Sequence, residues 1–257
     1  MTASLLFLLL TGAAVGAAAG YLGSFMILKR MSLVGDALSH VALPGMAIAI
    51  MWHTSPIIGA LAALTLAVIG IWHLQNHSSV YPDALVGIFF TASLSIGILI
   101  TPQPDLLEAL FGDLATISVP ESLLAVFFSL VLIAVTYIIS RRLLLTTISE
   151  DLATTSGIPV SKINLIYYLL VGAVVALGVK FVGTLLTGAL VIIPAAAAKN
   201  LSRSLTAYSL LSIFFGLASA VIGVLIARST GVAPGPIVVL TSVTFFLVTL
   251  VLKSLSR

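Results

Sequence analysis

The sequence predicts an all-α fold, a polytopic bundle of transmembrane helices that forms one domain over residues 1–257. Of the 257 residues, 60% are hydrophobic and only 7% are charged, whereas about a quarter of the residues in an ordinary soluble domain are charged. Apolar stretches of about 17–25 residues recur along the whole chain, which is the length that an α-helix needs to cross a hydrocarbon core of roughly 30 Å. These two observations predict a membrane protein.

Hydropathy divides the chain into about nine spans, with eight to ten allowed. The first span has no basic region ahead of it and no small-residue cleavage site, so we expect it to be retained. Pro44 and Pro194 lie inside apolar runs and are expected to kink or break their helices. The predicted spans are residues 4–27, 32–51, 57–74, 83–101, 120–140, 163–179, 181–198, 205–227 and 237–252.

The basic residues predict which ends of these spans face the cytoplasm. With the N-terminus outside, only Lys180 and Arg228 fall on the outer side. Cytoplasmic ends of membrane spans carry an excess of lysine and arginine, which favours this orientation. The basic residues on the inner side are then Lys29, Arg30, Arg141, Arg142, Lys162, Lys199, Arg203, Lys253 and Arg257.

The cytoplasmic insertion at residues 141–162 predicts a short helix on the inner face. Ser149 precedes Glu150 and Asp151, and a hydroxyl residue ahead of acidic residues is typical of a helix N-terminus. Gly157, followed two residues later by a proline, ends the helix. An ordinary connecting loop is the alternative that these residues leave open.

The main candidate for chemistry is the pair Asp36 and His40 in the second span. Ionisable residues inside a bilayer are costly and are functional candidates by default. Residues four apart share a helix face, and counted from Arg30 they lie about 9 Å and 15 Å deep. A carboxylate with an imidazole suits zinc, manganese or iron(II). The alternative is a structural pair that is hydrogen-bonded internally.

This pair is too small to be a complete metal site, so other ligands must come from other spans, from water or from a second copy of the subunit. No thiolate can contribute, because the chain has no cysteine. On the outer side, His53 could meet an arriving ion or could anchor the interface beside Trp52. The acidic outer loop with Asp105, Glu108 and Asp113 would attract cations, although acidic loops are also merely soluble.

The two remaining histidines are not candidates for the metal site. His73 and His77 are expected in a solvated loop at the inner boundary.

The absence of several motifs argues against other classes of protein. The sequence has no H-E-x-x-H, no G-x-S-x-G and no G-x-x-x-x-G-K-[ST] motif, so it predicts neither a protease nor an ATPase. Basic and aromatic residues do not interleave on a polar surface, so nucleic-acid binding has no support. If ATP drives this protein, another chain hydrolyses it.

Seven short motifs in order resemble the membrane permeases of the zinc, manganese and iron ABC importers. That resemblance implies a permease in the bacterial cytoplasmic membrane, with a second identical or related permease, two cytoplasmic ATPase subunits and an external metal-binding protein. It implies no permanently bound cofactor, a transported metal ion, and ATP on the partner. The motifs are Gly23-Ser24-Phe25 through Lys29-Arg30-Met31-Ser32, Gly35-Asp36-Ala37-Leu38-Ser39-His40, Leu110-Phe111-Gly112-Asp113-Leu114, Ile148-Ser149-Glu150-Asp151-Leu152-Ala153, Lys180-Phe181-Val182-Gly183, Leu190-Val191-Ile192-Ile193-Pro194-Ala195 and Pro234-Gly235-Pro236.

The resemblance also implies roles for single residues. Asp36 and His40 match the family's proposed metal contacts in the translocation path, and the segment with Ser149, Glu150, Asp151 and Gly157 matches the region that couples to the ATPase. Some zinc-type relatives carry a histidine after the Gly-Ile of the fourth span, where this chain has Gly87-Ile88-Phe89-Phe90-Thr91. This difference argues against zinc but does not decide the metal, because the resemblance implies that the binding protein largely selects it. The alternatives are a permease for an iron chelate, an ATP-independent metal channel or carrier, and a structural membrane subunit.

Overall fold

The computed structural model describes residues 2–101, Leu110 and residues 118–255. In this part of the chain ten α-helices follow one another, and no strand occurs. Their bounds are α1 Thr2–Leu28, α2 Ser32–Met51, α3 Pro56–His77, α4 Pro82–Ile100, α5 Val119–Ile148, α6 Glu150–Thr155, α7 Val160–Val182, α8 Thr184–Leu201, α9 Leu205–Thr230 and α10 Pro234–Leu255.

The predicted fold class is confirmed. Within the described ranges, eight helices are long and apolar enough to cross a membrane, and Ala84–Ile100 of α4 is a shorter apolar helix. These nine helices correspond to the nine predicted spans. The largest difference is in α5, which continues past the predicted end at residue 140 to Ile148. A hydropathy analysis detects only the part of a helix that lies in lipid, whereas the helix itself can continue into water because its backbone hydrogen bonds continue.

Helix α1 lies in the interior of the bundle and packs against α5, α7, α8 and α9. Glycines allow its backbone to approach its neighbours closely. A Cβ added to Gly16 would clash with the carbonyl oxygen of Gly216, and one added to Gly216 would clash with that of Gly16. Gly20 and Gly23 lie in the same way against backbone carbonyls of α9 and α8. Lipid tails are as apolar as the side chains, so this close packing holds the helices together.

The predicted prolines lie inside continuous helices and do not break them. Pro44 lies within α2 and Pro194 within α8. Proline has no backbone N–H, so the carbonyl oxygen of His40 has no donor from residue 44. Helix α4 covers this region, since a Cβ added to its Gly97 would lie 2.9 Å from the Cβ of Leu43 and 3.4 Å from the nitrogen of Pro44.

The predicted short helix on the inner face is α6. The Ser149 side chain accepts a hydrogen bond of 3.2 Å from the backbone N–H of Leu152 and so caps the helix. After α6 the chain turns at Gly157, whose φ of +75° lies in the left-handed region that favours glycine. Within the described chain, α6 packs mainly on α5 and α7.

At the opposite end of the bundle, α5 and α7 meet through an ion pair. Ser118 and Glu121 form a capping box at the start of α5, and Lys180 near the end of α7 donates to Glu121 at 3.1 Å. Lys180 therefore lies at the end away from α6, as the predicted orientation requires. The acidic outer loop with Asp105, Glu108 and Asp113, and the motif around Leu110 except for Leu110 itself, fall outside the described residues.

Replacement of Gly16 by alanine is expected to destabilise the bundle by about 1–3 kcal/mol, the usual effect of overpacking, because the new methyl group would push α9 away. The measurement is the thermal unfolding midpoint of the purified protein in detergent. Gly87→Ala is the matched control, since a Cβ there meets nothing within 4 Å and alanine favours helix. Equal midpoints for the two variants would contradict the packing role of Gly16.

Candidate functional site

Asp36 and His40 lie one turn apart on α2, but their surroundings differ. Asp36 is exposed, and His40 is 8% exposed. Helix α8 passes directly beside Asp36, since a Cβ added to Gly188 would lie 2.7 Å from the Asp36 Cβ and 2.8 Å from its Oδ1. Within the described chain no hydrogen bond joins the Asp36 carboxylate to the His40 ring, and Nδ1 of that ring has no partner at all. The internally hydrogen-bonded pair is therefore not what the structure contains.

The buried Nδ1 atom of His40 is the unusual feature of this region. The ring packs edge-on against Phe90 of α4, with centroids 5.3 Å apart and an angle of 64° between the planes. A buried polar atom without a partner costs about 1–3 kcal/mol, and native structures rarely leave one. An aromatic neighbour fixes the ring orientation but does not satisfy the nitrogen. The imidazole is thus oriented and has a nitrogen available for an ion or a water molecule.

Backbone contacts place the turn between α7 and α8 beside the middle of α2. The Ser39 hydroxyl lies 2.6 Å from the carbonyl oxygen of Thr184 and 2.7 Å from that of Asp36. Only Gly183 separates the two helices, and its φ of +83° excludes most other residues. Ser39 is twelve residues before the end of α2, or about 18 Å at 1.5 Å per residue. Polar backbone from a helix terminus therefore lies near the Asp36 and His40 pair.

The other predicted histidines lie elsewhere. His53 is exposed in the turn after α2, with φ +53°, and thirteen residues of helix rise place it about 20 Å from His40. The two therefore cannot bind the same ion. The prediction of a solvated loop for His73 and His77 is wrong, because both residues lie in the last two turns of α3. They are exposed, as predicted, but the helix continues past the end of its apolar segment.

The described part of the chain offers few further metal ligands near Asp36 and His40. In the described ranges no group of three or more His, Asp or Glu side chains is arranged to hold a metal ion. The side chains of Asp36 and His40 supply one carboxylate and one imidazole. The described side chains therefore do not by themselves complete a metal site around this pair.

The predicted coupling segment borders a cavity of about 660 Å³ at the inner end of the bundle. Ser149 and Glu150 line it together with Lys29 and Asn164. The Lys29 ammonium group donates to Oδ1 of Asn164 at 2.8 Å and lies 5.6 Å from the centre of the Tyr167 ring. Burial lowers the pKa of Lys29, and the Glu150 carboxylate partly opposes that shift. The Lys29 side chain therefore joins the turn after α1 to α7, and the Glu150 carboxylate of α6 lies near the same cavity.

Comparison with known proteins decides the family. A sequence model of the ABC 3 transport family matches residues 1–253.

This chain belongs to the ABC 3 transport family.

Two similar proteins are "Manganese import system permease protein ScaB" of Streptococcus parasanguinis and "High-affinity zinc uptake system membrane protein ZnuB" of Haemophilus influenzae. The first is 33% identical over 244 residues, which cover 93% of this chain and 87% of ScaB. The second is 32% identical over 248 residues, which cover 94% of this chain and 95% of ZnuB. The resemblance inferred from the sequence motifs is thereby confirmed.

Among solved structures, "PsaBC from Streptococcus pneumoniae in complex with Fab" contains a chain with the same fold. The TM-score is 0.84 at 32% sequence identity, and the match covers 97% of this chain and 95% of that chain. This member of the ABC 3 transport family is therefore a multi-pass permease of the cytoplasmic membrane, as predicted.

Sequence reasoning missed two residues that position this site in the ABC 3 chain. Lys29 served only as a marker of orientation and as part of a family motif, and nothing in the sequence around it indicates that Asn164 accepts its hydrogen bond. Gly188 gave no signal, because it is one of 20 glycines and only the packing of α8 on α2 distinguishes it. Both act on the candidate residues through direct contact or charge.

Replacement of Gly188 by alanine is expected to displace the Asp36 carboxylate and to lower metal uptake at least severalfold, while the protein still assembles. The measurement is uptake per molecule of folded permease in membranes. Gly172→Ala is the matched control, because a Cβ there meets its nearest neighbours at 3.5 and 3.8 Å, which is ordinary contact. Normal uptake by Gly188→Ala would show that the position of Asp36 is not critical.

Proposed function

We propose that this chain is the permease subunit of an ABC importer that moves manganese or zinc ions into the bacterial cytoplasm. The observation that supports this most directly is the buried His40 imidazole. It lies one turn from Asp36, its Nδ1 has no partner, and its ring is oriented by Phe90. The names of the two similar proteins describe manganese import and zinc uptake.

The chemistry of the pair fits a transient contact for such an ion. Imidazole and carboxylate are ligands for zinc and manganese, whereas calcium and magnesium prefer oxygen ligands throughout. A permeation path must release what it binds, so a complete four-ligand site would trap the ion. In this proposal Asp36 and His40 supply two ligands of an incomplete protein site, and exchangeable water or a second permease copy occupies the other positions.

The choice between manganese and zinc is not decided by Phe89. That ring packs on α3, since a Cβ added to Gly70 would lie 2.7 Å from its Cζ. The neighbour of His40 on α4 is Phe90. A histidine at position 89 would therefore face α3 and would not be the direct neighbour of His40.

The chain requires an energy source outside itself, and the proposal assigns ATP hydrolysis to two cytoplasmic partner subunits. An external binding protein would deliver the ion. Five of the six residues of α6 are exposed, and only Ala153 is buried. Glu150 and Asp151 present carboxylates, and Leu152 is 51% exposed. A short helix with exposed apolar and acidic side chains at the inner end is suited to dock into an ATPase subunit.

Lys29 connects this docking helix to the transport helices in our proposal. Its ammonium group donates to Asn164 of α7 and lies over the Tyr167 ring. The negative charge of Glu150, at the start of α6, favours the protonated form of Lys29. Lys29 itself lies in the turn between α1 and α2. Movement of α6 therefore acts on the beginning of the helix that carries Asp36 and His40.

Cells that produce this chain with its ATPase and binding protein are expected to accumulate manganese or zinc, and His40→Ala and Asp36→Asn are expected to abolish accumulation without loss of assembled permease. The measurement is accumulation of zinc, manganese and iron(II) offered in parallel, with the amount of complex in membranes as reference.

His53→Ala is the matched control, because it removes an exposed histidine just beyond the C-terminal end of α2, about 20 Å from His40. Uptake that persists in His40→Ala would return that residue to a structural role. Uptake that does not depend on the ATPase would overturn the importer and favour a channel or carrier, and uptake of a chelate alone would favour the chelate permease.

Lys29→Met is expected to uncouple the importer, so that ATP hydrolysis continues while uptake falls roughly tenfold or more, because hydrogen bonds to charged groups contribute about 1.5–3 kcal/mol. Lys29→Arg should retain part of the coupling. The measurement is the number of ions imported per ATP in proteoliposomes.

Lys162→Met is the charge-matched control for this experiment. It removes an exposed lysine near the start of α7, at the same end of the bundle. An equal loss in the two variants would show that only the net charge of the inner face matters, and would contradict the proposed link through Lys29.

A further inference from the structure

Two histidines at the inner end of α3 have no role in the proposed transport path. His73 and His77 lie four residues apart in the last two turns of the helix, and both are exposed. Their rings stack, with centroids 4.3 Å apart and an angle of 27° between the planes. Stacked rings do not direct their nitrogens to one point, but both side chains are exposed and lie one helix turn apart, so rotation of the His73 ring can bring one nitrogen of each ring onto the same ion.

The hydrogen bond of His77 determines which of its nitrogens is available. Nδ1 of His77 lies 2.8 Å from the carbonyl oxygen of His73. A carbonyl oxygen only accepts, so Nδ1 carries the proton and Nε2 of the neutral ring carries the free lone pair. Histidine ligands in metal sites are oriented in this way, with the second nitrogen donating to a carbonyl or carboxylate.

The helix end that carries the two rings is fixed to its neighbour. Trp72 Nε1 donates to the Ser161 side chain at 3.0 Å, and the Ser161 hydroxyl is 3.3 Å from Oδ1 of Asn76. These contacts hold α3 against α7 on one side and leave the two histidines on the open side. The carbonyl groups at the C-terminus of a helix also favour a bound cation.

We propose that His73 and His77 form a two-ligand site for a divalent transition metal ion on the cytoplasmic face of the protein. The site lies at the release side, because Gln75 on the same helix end lines the cavity that Lys29 and Glu150 also line. A pair of neutral imidazoles favours copper, nickel and zinc over manganese. Water fills the other positions, so the ion exchanges with the cytosol. This site is separate from Asp36 and His40.

The test uses the purified permease–ATPase complex without a polyhistidine tag, in a His40→Ala background, so that the proposed transport contact adds no second imidazole. Zn²⁺ binding is measured by equilibrium dialysis, and Cu²⁺ is used to count nitrogen ligands by electron paramagnetic resonance. The variants are His73→Ala, His77→Ala and both together. His53→Ala is the control for an exposed single histidine.

We expect either single replacement to lower the Zn²⁺ affinity by about tenfold or more, because the second ligand binds intramolecularly, and the double variant to add little. The copper spectrum should change from two imidazole nitrogens to one. An unchanged Zn²⁺ affinity in His77→Ala would contradict binding of one ion by both histidines. Losses that are equal in the two single variants and additive in the double variant would contradict it as well. Neither measurement requires ATP or transport, so failure here and failure of the proposed transport function are distinguishable.

Discussion

The bundle depends on the close approach of helix backbones at glycines, because helices in lipid gain no hydrophobic energy from associating with each other. Gly16 and Gly216 join α1 to α9, and Gly23 lets α1 approach the Val191 carbonyl of α8. The same helix α8 lies with Gly188 against Asp36. Helix α8 is thus packed against α1 at Val191 and against Asp36 at Gly188. The position of the Asp36 carboxylate therefore depends on how closely α1 and α8 approach each other.

A second constraint is that lipid offers no hydrogen-bond partners, so polar groups inside the bundle must be satisfied within the protein. Most buried hydroxyl groups here donate to a carbonyl oxygen of their own helix, as Thr136 does to Leu132 and Ser212 to Tyr208. Such residues carry little information about function. Among the described buried side chains without a partner, His40 is the one that offers a nitrogen, and the others are hydroxyl groups. An imidazole nitrogen is a far better metal ligand than a neutral hydroxyl.

Sequence patterns predicted the features that depend on the solvent and on local chain chemistry. Long apolar segments predicted the spans, the lysines and arginines predicted the orientation, and Ser149 with Gly157 predicted α6. Helix periodicity also placed Asp36 and His40 one turn apart. The family motifs were needed to connect that pair with transport.

Features that depend on contacts between distant segments could not be predicted in this way. Nothing local indicates that α8 contacts Asp36 through Gly188, that Phe90 rather than Phe89 lies beside His40, or that the Thr184 carbonyl lies near Ser39. The helical state of His77 was missed for a different reason, since hydropathy detects the lipid boundary and α3 extends beyond it. The missing metal ligands are not encoded in one chain at all if they come from a second copy.

The geometry of the inner end indicates how a docking event there could reach the ion. Lys29 donates to Asn164, lines the same cavity as Glu150, and is seven residues before Asp36. Between them, Arg30 adopts φ +58°, a left-handed conformation that is costly for a residue with a side chain. Only this short turn separates Lys29 from the start of α2, so in the proposed coupling a displacement of Lys29 would reach α2 directly. Asp36 lies on the second turn of α2 in close contact with Gly188 of α8. A shift of the start of α2 would therefore change the distance between Asp36 and α8.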